Sequence, residues 1–175
     1  SSNKLIMTKP IKFFIAGVFV CSSLFASAQI KLGHINSTQL LAMMPETKTA
    51  DSTLQKFGET LQAQMKTMTA EYDSKVAEYQ EKASSMAEPI KAAKEKEIRD
   101  LGDRIQDFQE SAQNSVQKKK EEVYSPIIKK ADEAIKAVAK DKSYTYIFDS
   151  SVGALLYTND SDDIMSMVKE KLKLK

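Results

Sequence analysis

Apolar residues between positions 54 and 123 fall into two helical series that mirror each other. Leu54, Phe57, Leu61, Met65, Met68, Tyr72, Val76, Tyr79, Ala83 and Met86 ascend in steps of three and four, and Ile90, Ala93, Ile98, Leu101, Ile105, Phe108, Ala112, Val116 and Val123 continue in similar steps. Steps of three and four keep side chains on one face of an α-helix. Pairing Met86 with Ile90, and so outward to Leu54 with Val123, sets apolar against apolar at a nearly constant total of residue numbers, 176 or 177. Only Phe57 meets a polar partner, Lys119. The series therefore predicts an antiparallel coiled-coil hairpin over residues 46–123 with its turn near 87–89. Pro89 supports that turn, because proline is tolerated in the first turn of a helix, where its missing N–H has no partner to lose.

On either side of the arm the period changes. Residues 30–35, Ile-Lys-Leu-Gly-His-Ile, read as a short strand, and Asn36 with Gln39 resembles a capping box opening a short helix through Leu40, Leu41, Met43 and Met44, which Pro45 interrupts. Tyr124-Ser125-Pro126 marks a break or kink, since proline removes a helical donor and clashes with the preceding turn. A further amphipathic helix carries Ile127, Ile128, Ala131, Ala134, Ile135 and Val138 on one face. Residues 144–148, Tyr-Thr-Tyr-Ile-Phe, form the clearest strand in the chain, β-branched and aromatic. After a turn at Ser150–Gly153, Leu155-Leu156-Tyr157 reads as another strand, and Asp160–Asp163 cap a last helix containing Ile164, Met165, Met167, Val168 and Leu172. The fold class is α+β, with the arm inserted between strands that form a small body from residues 29–45 and 124–175. Three short strands cannot close a barrel and leave exposed edges. Closed, symmetric homo-oligomerisation is the expected remedy. Small and flexible layers, Ala83 against Ala93 and the methionines at 65, 68 and 86, predict an arm that splays most between Tyr79 and Ile98.

The first residues change the charge picture. Lys4, Lys9 and Lys12 precede an apolar run from Phe13 to Val20, and Ala26-Ser27-Ala28 offers small residues at a cleavage site. This reads as a secretory signal peptide over residues 1–28, cut after Ala28, and the run falls short of the about 18 apolar residues that a membrane anchor needs. The full chain carries 26 Lys+Arg against 24 Asp+Glu, and loss of the three leader lysines turns a net charge of +2 into −1. A chain without basic surplus, outside the cytoplasm, is a poor partner for nucleic acid. The single cysteine, Cys21, leaves with the leader, so no disulfide framework is expected.

Catalytic chemistry finds little material. His34 is the only histidine and alternates with Leu32 on a strand, which suits a packed or surface position better than a Ser–His–Asp arrangement. Gly33, Gly58, Gly102 and Gly153 are isolated, so no phosphate-cradling loop forms and nucleotide-driven action is not expected. The acidic run at 159–163 and Asp149 lack the glycine and terminal glutamate of a calcium loop and read as helix caps. No enzyme activity, metal or cofactor is expected. Lys118-Lys119-Lys120 is interleaved with Glu121 and Glu122 and reads as a solvated helical face.

At these residues the chain resembles the Skp/OmpH family of periplasmic chaperones. The resemblance rests on residues 31–36, Lys-Leu-Gly-His-Ile-Asn, followed by Gln39-Leu40-Leu41; on Pro126-Ile127 with Ala134-Ile135; and on Tyr144–Asp149 followed by Leu155-Leu156-Tyr157. It implies a jellyfish-like homotrimer in the periplasm, with strands of three chains forming a body and three arms enclosing a cavity. Unfolded outer-membrane proteins would be held there without ATP. On that reading Met65, Met68, Tyr72, Tyr79 and Met86 are candidate client contacts, and Ile30, Leu32, Ile35, Tyr146, Phe148 and Leu156 candidate oligomer contacts. Two departures stand out. Ser161-Asp162 replaces an aliphatic–threonine pair usual before the last helix, and residues 74–96 hold five lysines against four glutamates, a balance that argues against lipopolysaccharide or anionic-membrane contact. The alternative is a structural or adaptor protein of the cell envelope that uses the hairpin as a spacer.

Overall fold

The computed structural model describes residues 30–174, so the expected leader at 1–28 lies outside the described residues. The chain divides into two units, residues 1–31 and 32–175, and of the first only Ile30 and Lys31 are described. The second unit is mostly helical. Its elements are β1 (Leu32–Ile35), α1 (Ser37–Met43), α2 (Pro45–Lys82), α3 (Glu88–Asp141), β2 (Tyr146–Asp149) and α4 (Met165–Leu172), with short 3₁₀ turns at Ala83–Ser85, Ser150–Val152 and Asp160–Asp162.

β1 and β2 pair in parallel, Leu32 opposite Tyr146 and Ile35 opposite Asp149. Parallel strands require a long crossover, and here the crossover is the entire helical excursion from α1 to α3. Asn36 opens α1 as its sequence suggests, its side chain accepting the Gln39 N–H at 2.9 Å. Pro45 then takes the first position of α2, where no intrahelical donor is lost. At the far end α2 gives way to the 3₁₀ turn 83–85; Met86 and Ala87 are extended, and Pro89 sits in the first turn of α3. α4 begins after Asp163, whose carboxylate accepts the Met165 N–H at 2.8 Å.

The core lies under the sheet. Ile35, Leu40, Met44, Ile164 and Val168 are at most 1 % exposed, and Ala50, Ile127, Ala131, Ala134 and Val138 join them from α2 and α3. Four of the latter five are spaced at three and four residues along α3, the stripe that the sequence assigns to a separate helix. The structure makes no break there. α3 runs unbroken through Pro126, although the proline leaves the Glu122 carbonyl without its helical donor. Burial of Ile127 and fastening of the flanking turns to α2, through Tyr124 to Asp51 and Lys130 to Glu46, hold both sides of the proline in one helix.

A second correction concerns Leu155-Leu156-Tyr157, which is not a strand. A strand needs a neighbour, and its own chain offers none. The outer edge of β1 is occupied by the 163–164 segment, with the Ile164 N–H donating to the His34 carbonyl at 3.0 Å, and the residues after β2 are drawn the other way. There Asp149 accepts the Ser37 hydroxyl at 2.5 Å and the backbone N–H groups of Ser37 (3.2 Å) and Ser151 (2.9 Å), turning residues 150–152 toward the start of α1. A third difference lies near the arm's end. Ile90 and Ala93 are exposed, and Lys91, Lys94 and Glu95 are half-buried instead. At about 100° per residue, the five-residue step from Ala93 to Ile98 swings about 140° off the face that Ile98 shares with Leu101 and Ile105.

Gly33 faces inward on β1, and a Cβ there would stand 2.9 Å from the Tyr144 ring and 3.0 Å from the Ile147 methyl. Gly33→Ala is expected to lower stability by about 1–3 kcal/mol by overpacking, measured by urea unfolding. Asp149 gives a pH signature. Burial raises its proton affinity, but the bonds from Ser37 and Ser151 outweigh this and bring its pKa from 3.8 down to about 2. A depressed folded pKa means that its stabilisation is complete above about pH 4 and fades as pH falls toward 2. Asp149→Asn is therefore expected to cost about 1–2 kcal/mol at pH 7 and progressively less over that window, measured by unfolding at a series of pH values.

Candidate interaction surfaces

Alternation along the strands sorts their side chains. Gly33, Ile35, Ile147 and Asp149 turn toward the core, while Leu32, Tyr146 and Phe148 face out at 47 %, 59 % and 44 % exposure. The rings of Tyr146 and Phe148 lie 6.4 Å apart at 33°. His34 shares this outer face, and its Nε2 donates to the Asn159 carbonyl at 3.1 Å. Beyond β2, Val152, Leu156 and Tyr157 are more exposed still, Leu156 completely so. Such a run of large apolar side chains on one sheet face and its following loop is the pattern of a contact surface rather than of scattered surface leucines. Among the residues expected at an oligomer contact, Leu32, Tyr146, Phe148 and Leu156 are available, and Ile30, in the other unit, is exposed. Ile35 is not. It is 1 % exposed inside its own core, because β1 turns its odd-numbered side chains inward, and no area remains for a neighbour.

α2 and α3 touch along their lengths, and polar contacts tie them at both ends. Near the body these are Lys130 to Glu46 and Tyr124 to Asp51. Toward the turn they are Lys75 to Glu97 at 2.5 Å and Tyr79 to Glu95. Each tie marks its groups electrostatically. Hydrogen bonding to Glu97 raises the Lys75 pKa and the same bond lowers that of Glu97; bonding to Lys130 lowers Glu46; and donation to Glu95 and Asp51 raises Tyr79 and Tyr124. Between these ends, among the described residues, no side-chain hydrogen bond crosses from α2 to α3. Apolar contact alone holds the middle, where Leu101 is buried and the Tyr72 ring lies 3.4 Å from where a Gly102 Cβ would stand. Lys119, the mismatch opposite Phe57, reaches out to Glu122 at 2.9 Å, so its stem covers the seam while its charge stays wet.

Met65, Met68, Tyr72, Tyr79 and Met86 are all half-buried. Tyr72 and Tyr79 reach α3 directly, at Gly102 and Glu95, Met65 and Met68 continue their stripe along α2, and Met86 lies in the extended turn between the helices. Along residues 46–123 the only large apolar side chain classed as exposed is Ile90, at 56 %. Closer to the body, Ile128 is 51 % exposed on the α3 face opposite Pro126, beside a groove of about 630 Å³ that it lines with Tyr124, Ser125 and Lys129. The cross-helix ties, Asp149 and Ile128 were not legible as contacts. Tyrosines and carboxylates at seam positions were the available signal for the ties, but which carboxylate lies one turn from which tyrosine is set by the helix crossing. Among the described residues no group of three or more potential metal ligands comes together, and no helix is long and apolar enough to cross a membrane.

The chain matches, over residues 31–172, the family described as outer membrane protein (OmpH-like). No curated protein sequence matches it significantly. Among solved structures it is similar to a candidate outer membrane chaperone (OmpH-like) from Caulobacter crescentus, with a TM-score of 0.72 at 15 % identity over 83 % of this chain and 85 % of that one. At that identity the likeness is one of fold: long helices on a small two-stranded sheet. Since the matched stretch holds both strands and all four helices, the chain belongs to the outer membrane protein (OmpH-like) family.

Proposed function

We propose that this protein is an ATP-independent holdase chaperone of the periplasm, which keeps unfolded outer-membrane proteins from aggregating before they reach the membrane. The active form is a homotrimer, in which the outer sheet faces meet and three hairpin arms, residues 46–123, surround a cavity. The observation that carries this reading is the pairing of an uncovered apolar sheet face with a long, polar-surfaced helical excursion in a chain of this family. Leu32, Tyr146, Phe148 and Leu156 supply the subunit contact, with Ile30 beside them in sequence. Holding a client requires no catalysis. Binding the unfolded chain lowers its free concentration, and aggregation, which is of higher order in that concentration, slows by mass action. Several weak contacts from three arms add through effective concentration while each releases quickly.

The arm surface bears on how a client is gripped. With Ile90 the one exposed large apolar side chain along residues 46–123, a client meets mainly charged side chains and aliphatic stems, reaches Met65, Met68, Tyr72 and Tyr79 only where α2 and α3 part, and meets Met86 at the turn. The polar-contact-free middle of the arm is where parting is easiest. A second reading, a spacer or adaptor of the cell envelope, is favoured by the same polar surface, since a spacer needs no apolar lining.

Light scattering separates the two. An unfolded outer-membrane protein diluted from denaturant is expected to stay clear when the protein is present at a few-fold molar excess of trimer. Unchanged turbidity at that excess would exclude the holdase and leave the spacer.

A further inference from the structure

Sulfur chemistry in this chain belongs to methionine. The one cysteine, Cys21, lies outside the described residues, so among those residues the thioethers are the only sulfur groups. Their surroundings differ. Met43 is 40 % exposed at the end of α1, Met44 is sealed in the core at 1 %, and Met86 is half-buried in the extended turn. Met65 and Met68 are half-buried in the middle of the arm, where among the described residues no side-chain hydrogen bond crosses from α2 to α3.

On α2 these two lie between Asp51, which meets Tyr124, and Tyr72, whose ring stands over Gly102. The antiparallel course carries them past the α3 stretch between Gly102 and Tyr124, whose half-buried apolar residues include Ile105, Phe108, Ala112 and Val116. Half-burial matters twice there. A thioether sealed like that of Met44 is out of an oxidant's reach, and one standing free like that of Met43 is changed at little cost to the fold. Met65 and Met68 are exposed enough to admit a small oxidant and buried enough for the product to disturb their contact.

We propose that Met65 and Met68 are an oxidation site through which a peroxide loosens the middle of the arm. A sulfur lone pair attacks one oxygen of hydrogen peroxide. The S–O bond forms as the O–O bond breaks, and the departing hydroxide takes the proton of the transferred oxygen and leaves as water. Sulfur loses two electrons and the peroxide gains two, so each methionine consumes one peroxide and yields one sulfoxide and one water. The sulfoxide is polar and chiral where the thioether was apolar and pliable. Its oxygen requires a hydrogen-bond donor, and burying it without one is costly. Apolar contact alone holds this stretch, so hydration of two sulfoxides on one stripe of α2 competes with the only interaction there. The ties of Lys75 to Glu97 and Tyr79 to Glu95, and of Asp51 to Tyr124 and Glu46 to Lys130, remain, so the seam opens between fastened ends. The site depends on the seam alone and stands whether or not the protein holds clients. In the holdase proposed above, the oxidant would govern access to the apolar side chains of the seam.

Peroxide treatment of the full chain, followed by peptide mass spectrometry and amide hydrogen exchange, tests this. Sulfoxide is expected at Met65 and Met68 as well as at Met43 and Met86. Exchange over residues 58–74 and 102–118 is then expected to quicken about tenfold, with the segments around Tyr79 and Tyr124 changing less. Combining Met65→Leu with Met68→Leu, a volume-conserving exchange, is expected to abolish that response while Met43 and Met86 still oxidise, and each single variant is expected to retain part of it. Unchanged exchange in protein that carries sulfoxide at both positions overturns the proposal. So does a full response in the double variant, or protection of Met65 and Met68 under conditions that oxidise Met86 completely.

Discussion

The parallel pairing of β1 with β2 is the constraint on which the rest of this structure depends. It brings Leu32 beside Tyr146 and Ile35 beside Asp149, residues separated by more than a hundred positions of chain. Loop-closure entropy grows only slowly with length, so a long excursion between paired strands is thermodynamically cheap to close once its base is fixed. The base is fixed by apolar burial. Ile35 from β1, Leu40 from α1, Val138 from the end of α3, and Ile164 and Val168 from the last segment all converge under the sheet. Because both ends of the helical excursion enter this one core, α2 and α3 start and finish together, and their antiparallel course follows from the sheet as much as from their own seam.

Along the arm, polar and apolar contacts divide the work. A charged or hydroxyl tie at each end fixes rotation and register, which apolar side chains specify poorly because their contacts are non-directional. The ties are on an exposed arm, where such pairs add little to stability. Their value lies in geometry: Glu46–Lys130 and Asp51–Tyr124 brace the helix on both sides of Pro126, and Lys75–Glu97 with Tyr79–Glu95 brace the segment behind the turn. These last two stand where small and methionine layers alone would give the loosest packing. An arm that is braced at both ends and purely apolar between them concentrates its compliance in the middle.

The body shows the opposite economy. Its inner face is fully packed, while its outer face keeps Leu32, Tyr146 and Phe148 in water, with Leu156 beyond them. Gly33 shows how closely the inner face is fitted, since even one methyl would strike Tyr144. Two strands are few for an independent sheet, and the uncovered outer face is the surface that the proposed homotrimer would cover.

Periodicity by itself determined where the two long helices of the arm run, because amphipathic spacing over tens of residues points to helix. Caps and prolines determined most helix ends: Asn36 with Gln39, Pro45, Pro89 and Asp163 act locally, through a backbone donor or acceptor a few residues away. Alternation along β1 and β2 divides each strand into two faces, but it does not say which face is covered. Non-local choices were not legible. Pro126 breaks a helix by its own chemistry, and only the packing of Ile127 and the ties of Tyr124 and Lys130 to α2 keep α3 whole. Leu155-Leu156-Tyr157 has the composition of a strand, but a strand is a relation between two segments, and the Asp149 cluster denies it a neighbour in its own chain. Ile35 belongs to the core rather than to a contact because the sheet's twist and cover decide which face of β1 is inside. The sequence marked what each segment is suited to become; the tertiary structure decided which of those segments found a partner.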